Sequence, residues 1–397
     1  MAKQIILLTS LLFHLCSCAQ SGCNDPQASN YNPNAAFNDG SCLYPSTSYS
    51  LTLINDLSDQ VQENSGLIRV GNFLYTFNDS GSDVKIYELD TSGTVLRSIV
   101  ITGATNVDWE AITSNSTHVF IGDFGNNSGN RQNLCVYRFM KSALSLDTIV
   151  AEKLPFYWSD QIQFSAQTNA HNFDCEAFVA REDSLVFFSK NWLNLYTRRY
   201  VLPVYWTDTM AAMVRDSFFV DGLITDASLS PDQSRTFLLG YKNNGNNFYT
   251  SFIWNLWDYS NGLVFSGNKR RIEIGNVLNV SQTEGIALIS NQSGYVSSEK
   301  VVSFVTLAPK LFKFDFGAYF NPLNTPEILP HTMVELVPRA KDGTCEILIK
   351  RPFKVAELKD IQGKRIAFEI TGKRIVTHFQ GQVVLQIDGR SALLYLP

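Results

Sequence analysis

Charge is scarce in this chain. Aspartate, glutamate, lysine and arginine make up only 17% of 397 residues, with a net charge of −5. No long basic stripe is present to neutralise phosphates, which argues against a nucleic-acid partner. Histidine is nearly absent, at five residues, and no His-x-x-x-His or Cys-x-x-Cys pair offers a zinc site. Two further motifs are missing: the Gly-x-Ser-x-Gly elbow, and a Gly-Lys-Ser/Thr ending to the Gly/Asn-rich stretch Gly125–Asn130. Beyond the first twenty residues no apolar run is long enough to span a bilayer, so no transmembrane segment is expected in the mature chain.

What the chain does contain is hydrophobic residues (45%) and aromatics (12%), set between Asn-Gly and Asp-Gly turns. That composition indicates a folded, β-rich chain. Residues 1–19 look like a targeting segment. Lys3 precedes a short apolar run from Ile5 to Leu15, and Ser17-Cys18-Ala19 suits cleavage after Ala19. The alternative is a lipobox, Leu15-Cys16-Ser17-Cys18, that would leave Cys18 lipidated. Either reading places the protein outside the cytoplasm, at the cell surface or secreted, with the periplasm as its transit compartment. Cys23 and Cys42 bound a polar stretch with too few apolar residues for a core, so residues 20–46 are expected to form a small module stapled by a Cys23–Cys42 disulfide. Asp25 and Asp39 in it are open to two readings, calcium ligands or parts of a stapled spacer. Cys135, Cys175 and Cys345 are expected to be buried free thiols.

A repeat dominates residues 47–325. Asn106-Val107-Asp108-Trp109-Glu110-Ala111-Ile112 recurs as Asn172-Phe173-Asp174-Cys175-Glu176-Ala177-Phe178. Weaker copies stand at Glu63–Leu67, Thr225-Asp226-Ala227 and Thr283-Glu284-Gly285-Ile286. Each copy is followed by a strand-like run: Phe73–Phe77, Val119–Gly122, Leu185–Phe188, Thr236–Leu239 and Val301–Val305. Then comes a polar turn and an answering strand. Hairpin units at this spacing predict an all-β fold, a five- or six-bladed β-propeller, with a sixth blade able to fit between Glu110 and Glu176. The run near Tyr49–Ile54 is expected to close the ring against the last blade. From about residue 334 to 397, short strands and polar turns predict a small C-terminal β-sandwich.

The motifs Trp109–Ile112, Cys175–Phe178 and Thr283–Ile286, with the Ser230-Pro231-Asp232 turn, resemble the SdiA-regulated propeller family and, more loosely, phytase and lactonase propellers. The order of the tail, with the Asp360–Ile366 turn and the Gly381–Ile387 strand, resembles the C-terminal sorting domain of type IX secretion cargo. Pro338-Arg339-Ala340 stands in place of that family's Pro-Asn-Pro start, and Val383 in place of its tyrosine. This resemblance implies export through the type IX secretion machinery.

Residues two apart in a strand share a face. On that rule Asp108 and Glu110 point together, as do Asp174 and Glu176. With Glu63, Asp226 and Glu284 they form an expected ring of carboxylates around the channel, joined by His171 at the same end. Two readings of the ring remain: each acid caps its own blade, or Glu63, Glu110, Glu176 and Glu284 hold a cation. Calcium is the expected cation, being hard and oxygen-loving. The aromatics Trp192, Tyr196, Trp206, Trp254, Trp257 and Tyr259 either stack on a glycan or pack between blades. Two functions follow. One is a non-catalytic protein binding a glycan, protein or small ligand. The other is a calcium-dependent hydrolase, phosphoesterase or lactonase-like, working with the channel carboxylates.

Overall fold

The computed structural model describes residues 20–396 apart from 246–247, 261, 303–304, 321–326, 329–333, 338–343, 351, 354–355, 361–363 and 388–389. The expected targeting segment, with Cys16 and Cys18, therefore lies outside the described residues, as do Ser303, Phe304 and the Pro338-Arg339-Ala340 stretch. The chain divides into two compact units, Met1–Gly317 and Ala318–Pro397.

In the first unit each repeat copy opens the innermost strand of a blade. These strands are Asn64–Val70, Trp109–Ser114, Asp174–Ala180, Leu223–Leu229 and Gln282–Leu288, and each pairs antiparallel with the strand that follows it. Each packs against the innermost strands on either side, closing a ring of five blades, I to V. The long spacing between Glu110 and Glu176 holds no sixth blade. It contains the short 3-10 turn Lys141–Ser145, the strand Thr148–Val150 and the outer strand of blade II, Glu152–Trp158. Thr148–Val150 runs back to pair in parallel with the outer strand of blade I, Val95–Thr102. Blades II and III are also tied in parallel at their outer strands, Phe156–Trp158 to Met210–Ala212.

The ring closes as the sequence predicts: Thr52–Asp56 is the outer strand of blade V, paired with Lys310–Asp315. The second strand of blade V is Ser293–Glu299, where the sequence pointed to Val301–Val305. Val301–Val302 instead forms a small hairpin with Thr306–Leu307. Serines dilute the apolar signal of the true strand, and its partners supply the burial.

Aromatic rings fill the spaces between blades. Phe124, Phe156, Phe178 and Phe187 interlock between blades II and III, and Trp109 lies edge-on to Phe77 at 5.5 Å between I and II. Each buried ring contributes ~1.5–3 kcal/mol. Trp206 is buried in the same core with its Nε1 donating to Pro155 O, so the packing reading holds for it.

The Cys23–Cys42 disulfide is formed. Its module is docked on blade IV. Asn38 Nδ2 donates to Asp258 and Asn268, Lys269 Nζ to Gly40 O, and Tyr44 packs on Trp257 at 5.3 Å. Asp25 accepts from Gln27 N and Tyr44 Oη, and Asp39 from Ser41 N. Cys135, Cys175 and Cys345 are buried and take no part in a disulfide among the described residues.

The second unit stacks two four-stranded sheets. Cys345, Ile347 and Ile349 alternate inward from one, Val383, Leu385 and Ile387 from the other. No described helix is long and apolar enough to cross a membrane.

Candidate functional site

One detail of the pairing shapes the channel mouth. In every blade the register of the innermost strand slips near its start. The unpaired residue is Glu110 in blade II, Glu176 in III, Thr225 in IV and Glu284 in V; in blade I the slip covers Gly66 and Leu67. A bulge re-aims the side chain it carries. Glu110, Glu176 and Glu284 accordingly line one cavity of about 370 Å³ at the end of the channel, together with Ser65, Asp79, Asn127, Asn169, Lys190, Trp192, Tyr241, Gln282 and Glu299.

The bulge also breaks the two-residue rule. Asp174 does not line the cavity with Glu176; its carboxylate accepts from Asn126 N (2.7 Å), Cys175 N (3.0 Å) and Trp192 Nε1 (2.8 Å). Asp226 occupies the register of Ala111 and Ala177, not of Glu110. It is fully buried and accepts from Ala227 N and, across to blade V, from Ile286 N (2.7 Å). Both serve as ties between backbone segments. Asp108 precedes its strand and turns towards Asp79. Glu63 is exposed at the rim, within 3.5 Å of Ser82 Oγ, and does not join the other acids in the cavity. His171 is buried, outside the cavity lining. Its Nδ1 accepts from Phe173 N (3.1 Å), which leaves Nε2 to donate to Asn127 O at 3.0 Å. It clamps the loop that carries Asn127.

Second strands return to the same end, because each runs antiparallel to the first. Asp174 sits opposite Lys190, Leu223 opposite Tyr241, Gln282 opposite Glu299 and Asn64 opposite Asn78, the neighbour of Asp79. The sequence reading missed Asp79, Tyr241 and Glu299 as site residues, and this register was the signal for them and for the placing of Lys190 beside Glu176.

The electrostatics are severe. Lys190 Nζ lies 2.5 Å from both Glu176 oxygens, with the Trp192 and Tyr241 rings at 5.0 and 5.2 Å. Burial pulls the ammonium down, but Glu176 beside it wins and holds Lys190 well above its ordinary value. Burial, then the Asp79 charge, push Asp108 up to about 7. Burial, then Glu176 and Asp79, drive Glu110 well above the carboxylate range. Glu284 and Glu299 are each pushed up to about 8, chiefly by burial.

Three of these acids converge. Oxygens of Asp79, Asp108 and Glu110 lie within 4.8 Å of one another. Arg131 reaches Asp108 only at 4.0 Å, since it is committed to Asp123 (2.8 Å) and Gly125 O (2.7 Å). Glu110 is only 4% exposed, and its carboxylate has no hydrogen-bond partner among the described residues. Gly125 backs the cluster: a Cβ there would fall 2.1 Å from Glu110 Oε1 and 2.5 Å from Asp108 Oδ2.

Comparison with known proteins finds no matching family model and no matching curated protein. Solved structures that align with this chain include a GH43 β-1,3-galactosidase (TM-score 0.39, 12% identity, covering 89% of this chain and 92% of the other). An exo-β-1,3-galactanase from Clostridium thermocellum gives a TM-score of 0.40 at 10% identity over 88% and 82% of the two chains. A mannose phosphorylase from Leishmania mexicana gives 0.39 at 11% over 68% and 89%. Likeness at this level assigns no chemistry to the channel mouth.

Proposed function

We propose that this is an exported ligand-binding propeller whose channel mouth holds calcium and, beside it, a small polar ligand. The convergence of Asp79, Asp108 and Glu110 carries the reading. Calcium takes oxygen ligands at about 2.3–2.6 Å, so oxygens up to ~5 Å apart can share one ion. The donor set is all carboxylate, hard and anionic, and the buried Glu110 otherwise has nothing to compensate it. Asn127, Asn169 and Gln282 add neutral polar groups to the wall. Export is supported by the Cys23–Cys42 bond, which persists in oxidising compartments, and type IX secretion by the resemblance of the tail.

Calorimetric titration with calcium is the test. The wild-type chain is expected to bind one ion per chain, and Glu110→Gln to lose binding by about tenfold or more, as for removal of one charged ligand. Gly125→Ala should act similarly without removing any donor, because its methyl occupies the space of the carboxylates. Calcium heats unchanged in both variants would overturn the reading.

A second reading, hydrolysis, is favoured by the contrast between two acids at the mouth. Burial raises both, but Lys190 pulls Glu176 back towards its charged form, whereas the neighbouring acids push Glu110 further up, so the two differ in the charge around them. Glu110→Gln with Glu176→Gln should then abolish turnover of an ester, lactone, phosphate or glycoside that the wild-type chain cleaves. Full activity in that double variant would sink it.

A further inference from the structure

A second cavity is larger than the channel mouth. It is a groove of about 790 Å³ at the junction of blades IV and V, on the same face of the propeller. The second strand of blade IV delivers Tyr241 to the mouth and the next residue, Lys242, to the groove. Opposite runs the segment Ser48–Leu51, which leads into the closing strand of blade V.

The groove contrasts with the mouth in its charge. Its charged side chains are neutralised in pairs. Lys242 Nζ lies 2.7 Å from both Asp221 oxygens, and Arg271 Nε lies 2.6 Å from Glu273 Oε1. Arg271 is further committed to Val220 O and Asp221 O and lies over the Phe252 ring at 3.7 Å. A charged ligand would have to displace one of these partners. What remains on the walls is uncharged: the Asn279 amide, the Asn244 amide, which donates one of its hydrogens to the Thr250 hydroxyl at 2.9 Å, and apolar surface from Tyr49, Leu51 and Val280. Amides supply a donor and an acceptor each. Neutral polar groups alternating with an aromatic and aliphatic wall match a ligand whose hydroxyls and C–H faces alternate.

We propose that this groove binds a neutral oligosaccharide, independently of the channel mouth. The volume suits a chain of a few sugar units in a site of ordinary size, about 300–1,000 Å³. Its recognition is by neutral hydrogen bonds and ring contact, so salt has little to screen.

The test is calorimetry of the full chain with neutral trisaccharides: maltotriose, cellotriose, xylotriose, mannotriose and galactotriose. At least one is expected to bind, with an affinity unchanged by about 0.5 M sodium chloride. Asn244→Ala with Asn279→Ala, both at exposed positions, should weaken it about tenfold while leaving the thermal midpoint in place. Glu110→Gln should leave it unaltered, which separates this site from the cation reading. The proposal is overturned by no binding of any trisaccharide to the wild-type chain, or by binding that survives the double variant. Loss of binding in Glu110→Gln would overturn it too, by moving the sugar to the mouth.

Discussion

Replacing Lys190 by methionine is expected to destabilise the folded propeller by ~3–5 kcal/mol near neutral pH, the cost of breaking a buried ion pair by removing one partner. The side chains of Lys190 and Glu176 are only 4% and 6% exposed. Without the ammonium, Glu176 faces Glu284 and Asp174 with no counter-charge, and must either take up a proton or stay charged out of water. The companion Glu176→Gln should recover most of the loss, because the double variant leaves no orphaned charge. Urea unfolding of the wild-type chain, both single variants and the double gives the coupling directly. Additive losses would mean that the pair is not the unit that stabilises this end of the channel. Methionine keeps an apolar chain of similar length but loses the ammonium that lies over the Trp192 and Tyr241 rings, so the measurement reads the loss of the charge together with its ring contacts.

The propeller was legible in the sequence because its signal is repeated. The Asn-apolar-Asp-x-Glu-Ala frame marks the start of the innermost strand wherever it is strong, and the closing strand near Tyr49–Ile54 follows from the need to cover the last edge. The blade count was less legible. Thr148–Val150 belongs to blade I although it lies within the chain of blade II, and no local pattern announces so distant a pairing.

The site was half legible for a physical reason. The two-residue alternation of a strand gives the right acids only while the ladder is unbroken. At each bulge the count shifts by one residue. Glu110, Glu176 and Glu284 therefore face the cavity, while Asp174 and Asp226 face backbone amides. The capping reading describes Asp174 and Asp226, whose carboxylates accept from backbone amides. Asp79, Lys190 and Glu299 needed one further step, placing the end of the second strand beside the start of the first.

The raised acids give the second large expected effect, a reversal of the usual response to pH. An ordinary stabilising carboxylate has a depressed value and loses its contribution in acid. Here the folded chain holds protons that the unfolded chain has already shed. Asp108 goes from an ordinary 3.8 to about 7, and Glu284 and Glu299 each from 4.5 to about 8. Between about pH 4 and 8 the unfolded state therefore binds fewer protons, and stability falls as pH rises. For Asp108 alone the change corresponds to ~4 kcal/mol across that window. The calcium-free chain should melt at a lower temperature near pH 8 than near pH 5. A cation at Asp79, Asp108 and Glu110 replaces those protons with a fixed positive charge. Calcium should accordingly raise the midpoint most at the alkaline end, by about 5–10 °C at a hundredfold excess over its dissociation constant. Near pH 5 it competes with bound protons and should do much less. Thermal melts across that range, with calcium and with chelator, read both slopes at once. A calcium-free midpoint that rose with pH would mean that these acids are ionised in the folded chain. A calcium shift of the same size at both ends would mean that the ion binds away from them.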